Sequence, residues 1–245
     1  MPGQIVPINR QALQGNIMNQ KSKPVEIDFN AEFKRAMALM EETQRNILIT
    51  GRAGTGKSTL LTYFRNATKK KVVILAPTGV AAVNVEGQTI HSFFHFKPNV
   101  TLASIKRKKK SEKDKPTIYK KLTTIVIDEV SMVRADLLDC IDKFLHLNGP
   151  NEKQPFGGVQ MIFIGDLYQL PPVVTSAERD IFKSHYSTPY FFSAKCFDQI
   201  NIEYVELEKV YRQKDDEFVR LLNTIRNRSV TDDDLVQFNK RCDPQ

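Results

Sequence analysis

The stretch that most constrains this chain is Gly51-Arg52-Ala53-Gly54-Thr55-Gly56-Lys57-Ser58-Thr59, set between the apolar run Ile47-Leu48-Ile49-Thr50 and Leu60-Leu61. Two glycines with four residues between them, Gly51 and Gly56, followed by Lys and Ser, form the phosphate-binding loop, which requires a strand in front of it and a helix behind. The glycines let backbone N–H groups turn inward around phosphate oxygens, and the following helix adds the positive end of its dipole. Lys57 is spaced to reach the β- and γ-phosphates, and Ser58 to hold Mg²⁺. The expected nucleotide-binding set is Gly51, Ala53, Gly54, Thr55, Gly56, Lys57, Ser58 and Thr59, with ATP and Mg²⁺ as cofactors.

The rest of the chain supplies a matching scaffold. Short continuous apolar runs at 47–50, 72–76, 125–127, 161–164 and 202–205 read as buried parallel strands. Phe33, Met37 and Met40 recur at helical spacing and predict a helix ending near Thr43. Leu137, Leu138, Ile141, Phe144 and Leu145 fall on one face of a helix over 134–147. Alternation of strands and helices predicts an α/β fold, a mainly parallel sheet flanked by helices. Two short helices, over 215–226 and 231–239, are expected near the end with no strand after them.

Three cysteines, Cys140, Cys196 and Cys242, stand far apart, which excludes a disulfide framework and a zinc ribbon and fits a reducing compartment. No apolar window reaches transmembrane length, so an intracellular protein without a membrane partner is expected. The net charge of +8 is concentrated. Residues 97–121 hold ten Lys/Arg against two Asp/Glu, so the remainder is near neutral.

Further elements narrow the chemistry. Thr124-Ile125-Val126-Ile127 is an apolar strand ending in Asp128-Glu129. A strand-end Asp128 suits Mg²⁺, and Glu129 suits polarisation of an attacking water, a pairing for hydrolysis. Gly165-Asp166-Leu167-Tyr168-Gln169-Leu170-Pro171-Pro172-Val173 follows the next strand. Gln169 there can touch both a γ-phosphate and the water, and the proline pair stiffens the loop.

These elements in this order resemble superfamily-one DNA helicases of the RecD-like and Pif-one branch. The likeness rests on GRAGTGKST, LAPTGVAAVNVEGQTIHSFF, IVIDEVSMV, GDLYQLPPV and LEKVYRQKDDEFVRLLNTIR, and covers about residues 30–240. It implies a RecA-like P-loop NTPase fold and an ATP-driven motor moving 5′ to 3′ on single-stranded or forked DNA. It makes Lys57, Glu129, Gln169 and Arg212 the catalytic group, with Gln169 sensing the γ-phosphate and Arg212 reaching it from a second lobe. Ser58 and Asp128 become the metal ligands. Pro77, Thr78, Gly79, Thr89 and His91 match the DNA-contacting motifs. The basic run Lys106, Arg107, Lys108, Lys109 and Lys110 lies where such helicases carry a strand-separating wedge. Phe93, Phe94 and Phe96 read either as core or as a base-stacking platform. The glutamine such helicases use for adenine has no counterpart: its register falls near Lys34, and Gln44 lies too close to the loop.

The expected organisation is a flexible arm over 1–28, a RecA-like motor domain over 29–206 with the basic insertion 97–121, and an incomplete start of a second motor domain over 207–245. A monomer is expected, cytoplasmic in a bacterium, nuclear or mitochondrial in a eukaryote. The alternative from another class is a P-loop module that binds nucleotide or DNA without efficient turnover.

Overall fold

The computed structural model describes residues 30–108, 118–176, 178–211 and 216–240. The N-terminal arm, Lys109, Lys110 and Arg212 lie outside the described residues. In chain order the first half contains α1 (Ala31–Glu42), β1 (Asn46–Gly51), α2 (Lys57–Ala67), β2 (Val72–Ala76), α3 (Gly79–Asn84), β3 (Gln88–Thr89) and α4 (Ile90–Phe94). Then come α5 (Ile118–Lys121), β4 (Thr124–Ile127), α6 (Ala135–Asn148), β5 (Gln160–Gly165), α7 (Arg179–Lys183), β6 (Ile202–Leu207), α8 (Asp216–Arg226) and α9 (Asp232–Asn239). Each of the five apolar runs is a strand. The two-residue β3 is the addition, too short to leave a pattern in the sequence.

Among the described residues the strands form one sheet in the order β3-β2-β4-β5-β1-β6, every pairing parallel. The residues of β4 and β5 are buried throughout, which is why those strands read as unbroken apolar runs rather than alternating ones. Their side chains nevertheless divide by parity. Ile125, Ile127, Met161 and Phe163 join a core with α4, α5 and α6; Val126, Ile162 and Ile164 join the opposite core with α1 and α2. The result is a sheet between two helical layers, a RecA-like α/β fold.

Local signals set the boundaries. Asn30 caps α1, its side chain accepting the Phe33 N–H at 2.8 Å, and Thr43 closes it, as the spacing predicts. α6 buries Leu138, Ile141, Phe144 and Leu145, with Leu137 packed at the margin. Phe93 and Phe94 are core: with Tyr119 and Phe144 they make an edge-to-face cluster with centroids 4.8–5.4 Å apart, while Phe96 stacks on Phe94 at 5.2 Å. Lys70 ties the layers at the far end of the sheet, donating to Met40 O, Thr43 O and Gln160 Oε1.

The tail helices sit as the sequence predicts, joined by an Arg220–Asp234 pair at 2.8 Å and a Phe218–Phe238 ring contact. The segment after β6 does not leave the sheet at once, because Tyr211 N–H donates to Gly54 O at 2.9 Å. No helix among the described residues is long and apolar enough to cross a membrane.

Candidate functional site

In a parallel sheet the loops that follow the strands share one edge, and the chemistry collects there. β5 lies between β1 and β4. The loop after β1 (Gly51–Gly56), the acids after β4 (Asp128, Glu129) and the turn after β5 (Asp166–Gln169) are therefore neighbours by topology.

The shape of the phosphate loop is set by its glycines. Gly54 and Gly56 have φ of 82° and 91°, a conformation that side chains other than glycine disfavour. Gly51 is fixed for a different reason: a Cβ there would lie 2.5 Å from Leu207 O and 2.6 Å from Thr55 Oγ1. Gly56 begins α2 with no side-chain cap, so the first N–H groups of that helix are left for a ligand. The Lys57 ammonium donates to Gly51 O at 2.7 Å and Arg52 O at 3.0 Å, folded over the loop. Burial pulls its pKa down, against the charges of Asp166, Glu129 and Asp128, while Arg226 adds to the depression. Ser58 and Thr59 are both exposed on the first turn of α2; Ala53 is exposed, and Thr55 is buried with its hydroxyl on Arg52 O at 2.9 Å.

Asp128 is buried at 9% exposure, and burial pushes its carboxyl up to about 6; the Glu129 N–H and Lys57 oppose the rise, and the Glu129 charge reinforces it. A buried carboxylate with raised proton affinity and a neighbouring acid is a site short of positive charge, as a divalent-cation ligand is before its ion arrives. The donor set and the electrostatics fit MgATP. Glu129 stands at φ 50° and turns the chain out of β4 into a short 3₁₀ turn.

The turn after β5 is more connected than the sequence suggests. Asp166, at 1% exposure, accepts the Tyr168 N–H at 3.1 Å on one oxygen. Its other oxygen accepts the Gln169 amide at 3.3 Å and the Arg226 guanidinium at 2.7 Å. Arg226 closes α8 and also covers the Tyr168 ring at 4.3 Å. The described arginine that reaches this edge from the C-terminal segment is thus Arg226. Sequence reasoning picks out neither Asp166 nor Arg226 as a site residue. Asp166 carries a weak signal, a carboxylate at a strand end beside Gln169; Arg226, 60 residues away, ends the stretch LEKVYRQKDDEFVRLLNTIR, with nothing there to mark it as a site residue.

On the same edge, Pro77 and Thr78 follow β2, with Gly79 opening α3, and Thr89 ends β3, with His91 in α4. Thr78 and Thr89 both cap helices, their hydroxyls accepting Ala81 N–H and Ser92 N–H at 3.2 Å. Each hydroxyl keeps its proton to donate outward. A Cβ added to Gly79 would meet no atom within 4 Å, so the backbone there faces open space. His91 is partly buried, and that burial lowers its pKa.

The described part of the basic run is exposed but already makes contacts within the chain. Arg107 pairs with Glu152 at 2.7 Å, and Lys108 lies over the Tyr119 ring at 4.6 Å with its backbone N–H on Asn148. Both bind the C-terminal end of α6 and the loop entering β5, the edge of the sheet opposite the phosphate loop. Lys106 is exposed. A cavity of about 1050 Å³ also opens on that far edge, lined by Gln44, Asn46, Gln154 and Asn201 among others. β1 separates Gln44 from the phosphate loop by roughly 20 Å, which removes it as an adenine contact; Lys34 is exposed on α1.

The family profile described as PIF1-like helicase matches residues 28–234. The ATP-dependent DNA helicase RRM3 of Saccharomyces cerevisiae is 32% identical over 95% of this chain and 32% of its own length. The ATP-dependent DNA helicase PIF1 of the same species is 35% identical over 84% of this chain and 24% of its own. A Pif1 helicase from Bacteroides, in complex with ADP-AlF3 and ssDNA, superposes with a TM-score of 0.80 at 38% identity, covering 89% of this chain and 50% of that one. The chain therefore spans a third or less of those two curated relatives and half of the solved one.

Proposed function

The chain belongs to the PIF1-like helicase family, and on that premise we propose that it carries the nucleotide-hydrolysing motor lobe of an ATP-dependent DNA helicase acting on single-stranded or forked DNA. The observation that carries the reading is the convergence of Lys57, Asp128, Glu129, Asp166 and Gln169 at one end of β1, β4 and β5, with Lys57 electrostatically coupled to all three acids.

In this reading the N–H groups of the phosphate loop and Lys57 hold the triphosphate. Ser58 and Asp128 would hold Mg²⁺, which would supply charge neutralisation to the triphosphate. Glu129 accepts the proton of the attacking water as its oxygen approaches phosphorus. Gln169 positions that water and reports on the γ-phosphate, and Arg212 adds positive charge to the transition state when lobes close. Thr78, Gly79, Thr89 and His91, with Pro77 shaping the turn, offer hydroxyl and backbone donors to DNA phosphates. Lys106, Lys109 and Lys110 extend that contact from the insertion, with Arg107 and Lys108 joining if they leave their present partners. We assign residues 29–206 to this lobe and 207–245 to the start of the next. The motor works as a monomer, stepping 5′ to 3′, in the cytoplasm of a bacterium or the nucleus or mitochondrion of a eukaryote.

The test is ATP turnover with and without a single-stranded oligonucleotide, followed by unwinding of forks with a 5′ or a 3′ tail by the full-length protein. Stimulation by DNA and unwinding from the 5′ tail are expected. Failure to bind MgATP, or turnover indifferent to DNA, refutes the proposal.

A further inference from the structure

Arg226 makes the shortest contact in the turn after β5. Its guanidinium lies 2.7 Å from an Asp166 oxygen, the two side chains being 17% and 2% exposed, and it stacks over Tyr168 at 4.3 Å. That same oxygen accepts the Gln169 amide, at a much longer 3.3 Å. A charged donor outcompetes a neutral amide for one acceptor, so the short bond to Arg226 is the strong one and the Gln169 bond the weak one. Gln169 is therefore held near Asp166 but not tightly.

Without Arg226 the balance reverses. Asp166 would be a buried carboxylate with no cation touching it among the described residues, and two of those groups could satisfy it: the Gln169 amide, already in contact, and Lys57, on which Asp166 exerts the largest of the charge effects. Either response draws a group away from the triphosphate.

We propose that Arg226 is a positioning residue of the hydrolytic site. By saturating Asp166 it keeps the Gln169 amide available to the terminal phosphate of a bound nucleoside triphosphate, and it thereby ties helix α8 to the nucleotide. The proposal rests on reading the phosphate loop as an ATP site. It also gives that site a mechanical link: any shift of α8 that withdraws Arg226 lets Asp166 capture Gln169, so the position of the C-terminal segment sets whether the γ-phosphate is sensed.

The readout is the ratio of affinities for MgATP and MgADP, measured by fluorescence titration, which needs no turnover. The wild-type chain should prefer MgATP, and Arg226→Ala should lose about tenfold of that preference, the scale of one hydrogen bond to a charged group. Arg226→Lys should keep most of it, since a cation remains against Asp166. Combining Arg226→Ala with Asp166→Asn should restore the preference to within about threefold, because no starved carboxylate is left to seize Gln169. In a Gln169→Ala background, Arg226→Ala should change the ratio by less than about twofold. This double variant separates capture of Gln169 from diversion of Lys57, and the Asn combination still reports where the single variant melts. Equal losses in both backgrounds, no rescue by Asp166→Asn, or no loss in Arg226→Ala each overturns the proposal. A wild-type chain that binds neither nucleotide instead overturns the reading of the site as an ATP site.

Discussion

Asp128 should make the ligand-free protein less stable than it could be, and Asp128→Asn measures by how much. The carboxyl is 9% exposed and its pKa is pushed up from 3.8 to about 6, chiefly by burial. At neutral pH the folded chain must hold that group ionised where ionisation is disfavoured, and the rise corresponds to a ceiling of about 3 kcal/mol. Asn keeps the shape and removes the charge but accepts the Glu129 N–H less strongly, so a net gain of about 1–2 kcal/mol is expected. For a chain of this size that is a rise in Tm on the order of 3–8 °C. The pH dependence has a definite sign. Between about pH 6 and about pH 4 the folded chain takes up a proton that the unfolded chain does not, so wild-type stability rises as pH falls through that window. The advantage of Asp128→Asn should therefore be full above about pH 6.5 and vanish near pH 4. Saturating MgATP should reverse the order at pH 7.5, because the wild type alone gains the metal-dependent part of binding. Thermal melts across pH, with and without MgATP, read all of this. A variant no more stable than wild type at pH 7.5, or an advantage that does not change with pH, refutes the reasoning.

Lys57→Ala should abolish triphosphate binding in a fluorescent-analogue titration while leaving the fold intact, since among the described residues the ammonium donates to the loop carbonyls Gly51 O and Arg52 O; unchanged affinity would move the nucleotide elsewhere. Glu129→Gln should bind MgATP normally and fail to hydrolyse it, because an amide cannot take the water's proton; wild-type turnover would remove the general base. Gly79→Ala should raise or preserve Tm, as its Cβ meets open space at the start of a helix, yet weaken binding of a single-stranded oligonucleotide in anisotropy. Unaltered DNA affinity would clear that backbone of any contact. Serines across 106–110 should flatten the salt dependence of the same binding by about 0.7 for each DNA phosphate no longer neutralised; an identical slope would leave the run as charge serving the protein itself.

The phosphate loop was legible because the motif dictates its own geometry: positive φ at Gly54 and Gly56 is a demand on residue type, and the sequence displays it. The sheet was legible because strands buried on both faces exclude polar residues, so Ile125–Ile127 and Met161–Ile164 announce themselves. Partnership was not legible. Composition marks Arg107 and Lys108 as surplus charge, but whether a cation is offered to solvent depends on Glu152 and Tyr119, which the fold brings to it from elsewhere. Thr78 and Thr89 show the converse ambiguity, since the residue type that caps a helix is also the type that donates to a phosphate.

Arg226 carries this furthest. It ends a helix whose sequence advertises only amphipathic packing, and its acceptor lies 60 residues earlier at a strand end. Nothing local distinguishes it from Arg220 on the same helix, which pairs with Asp234 in the next one. The difference lies in the acceptor's other partners: Asp234, also buried, is satisfied by the N–H and hydroxyl of its own helix cap Thr231 as well as by the half-exposed Arg220, whereas Asp166 is sealed beside Lys57 and Gln169. In a pair of the first kind the carboxylate keeps its cap hydrogen bonds when the arginine is removed. One of the second kind leaves a buried charge when broken, so its arginine constrains the groups on which hydrolysis depends.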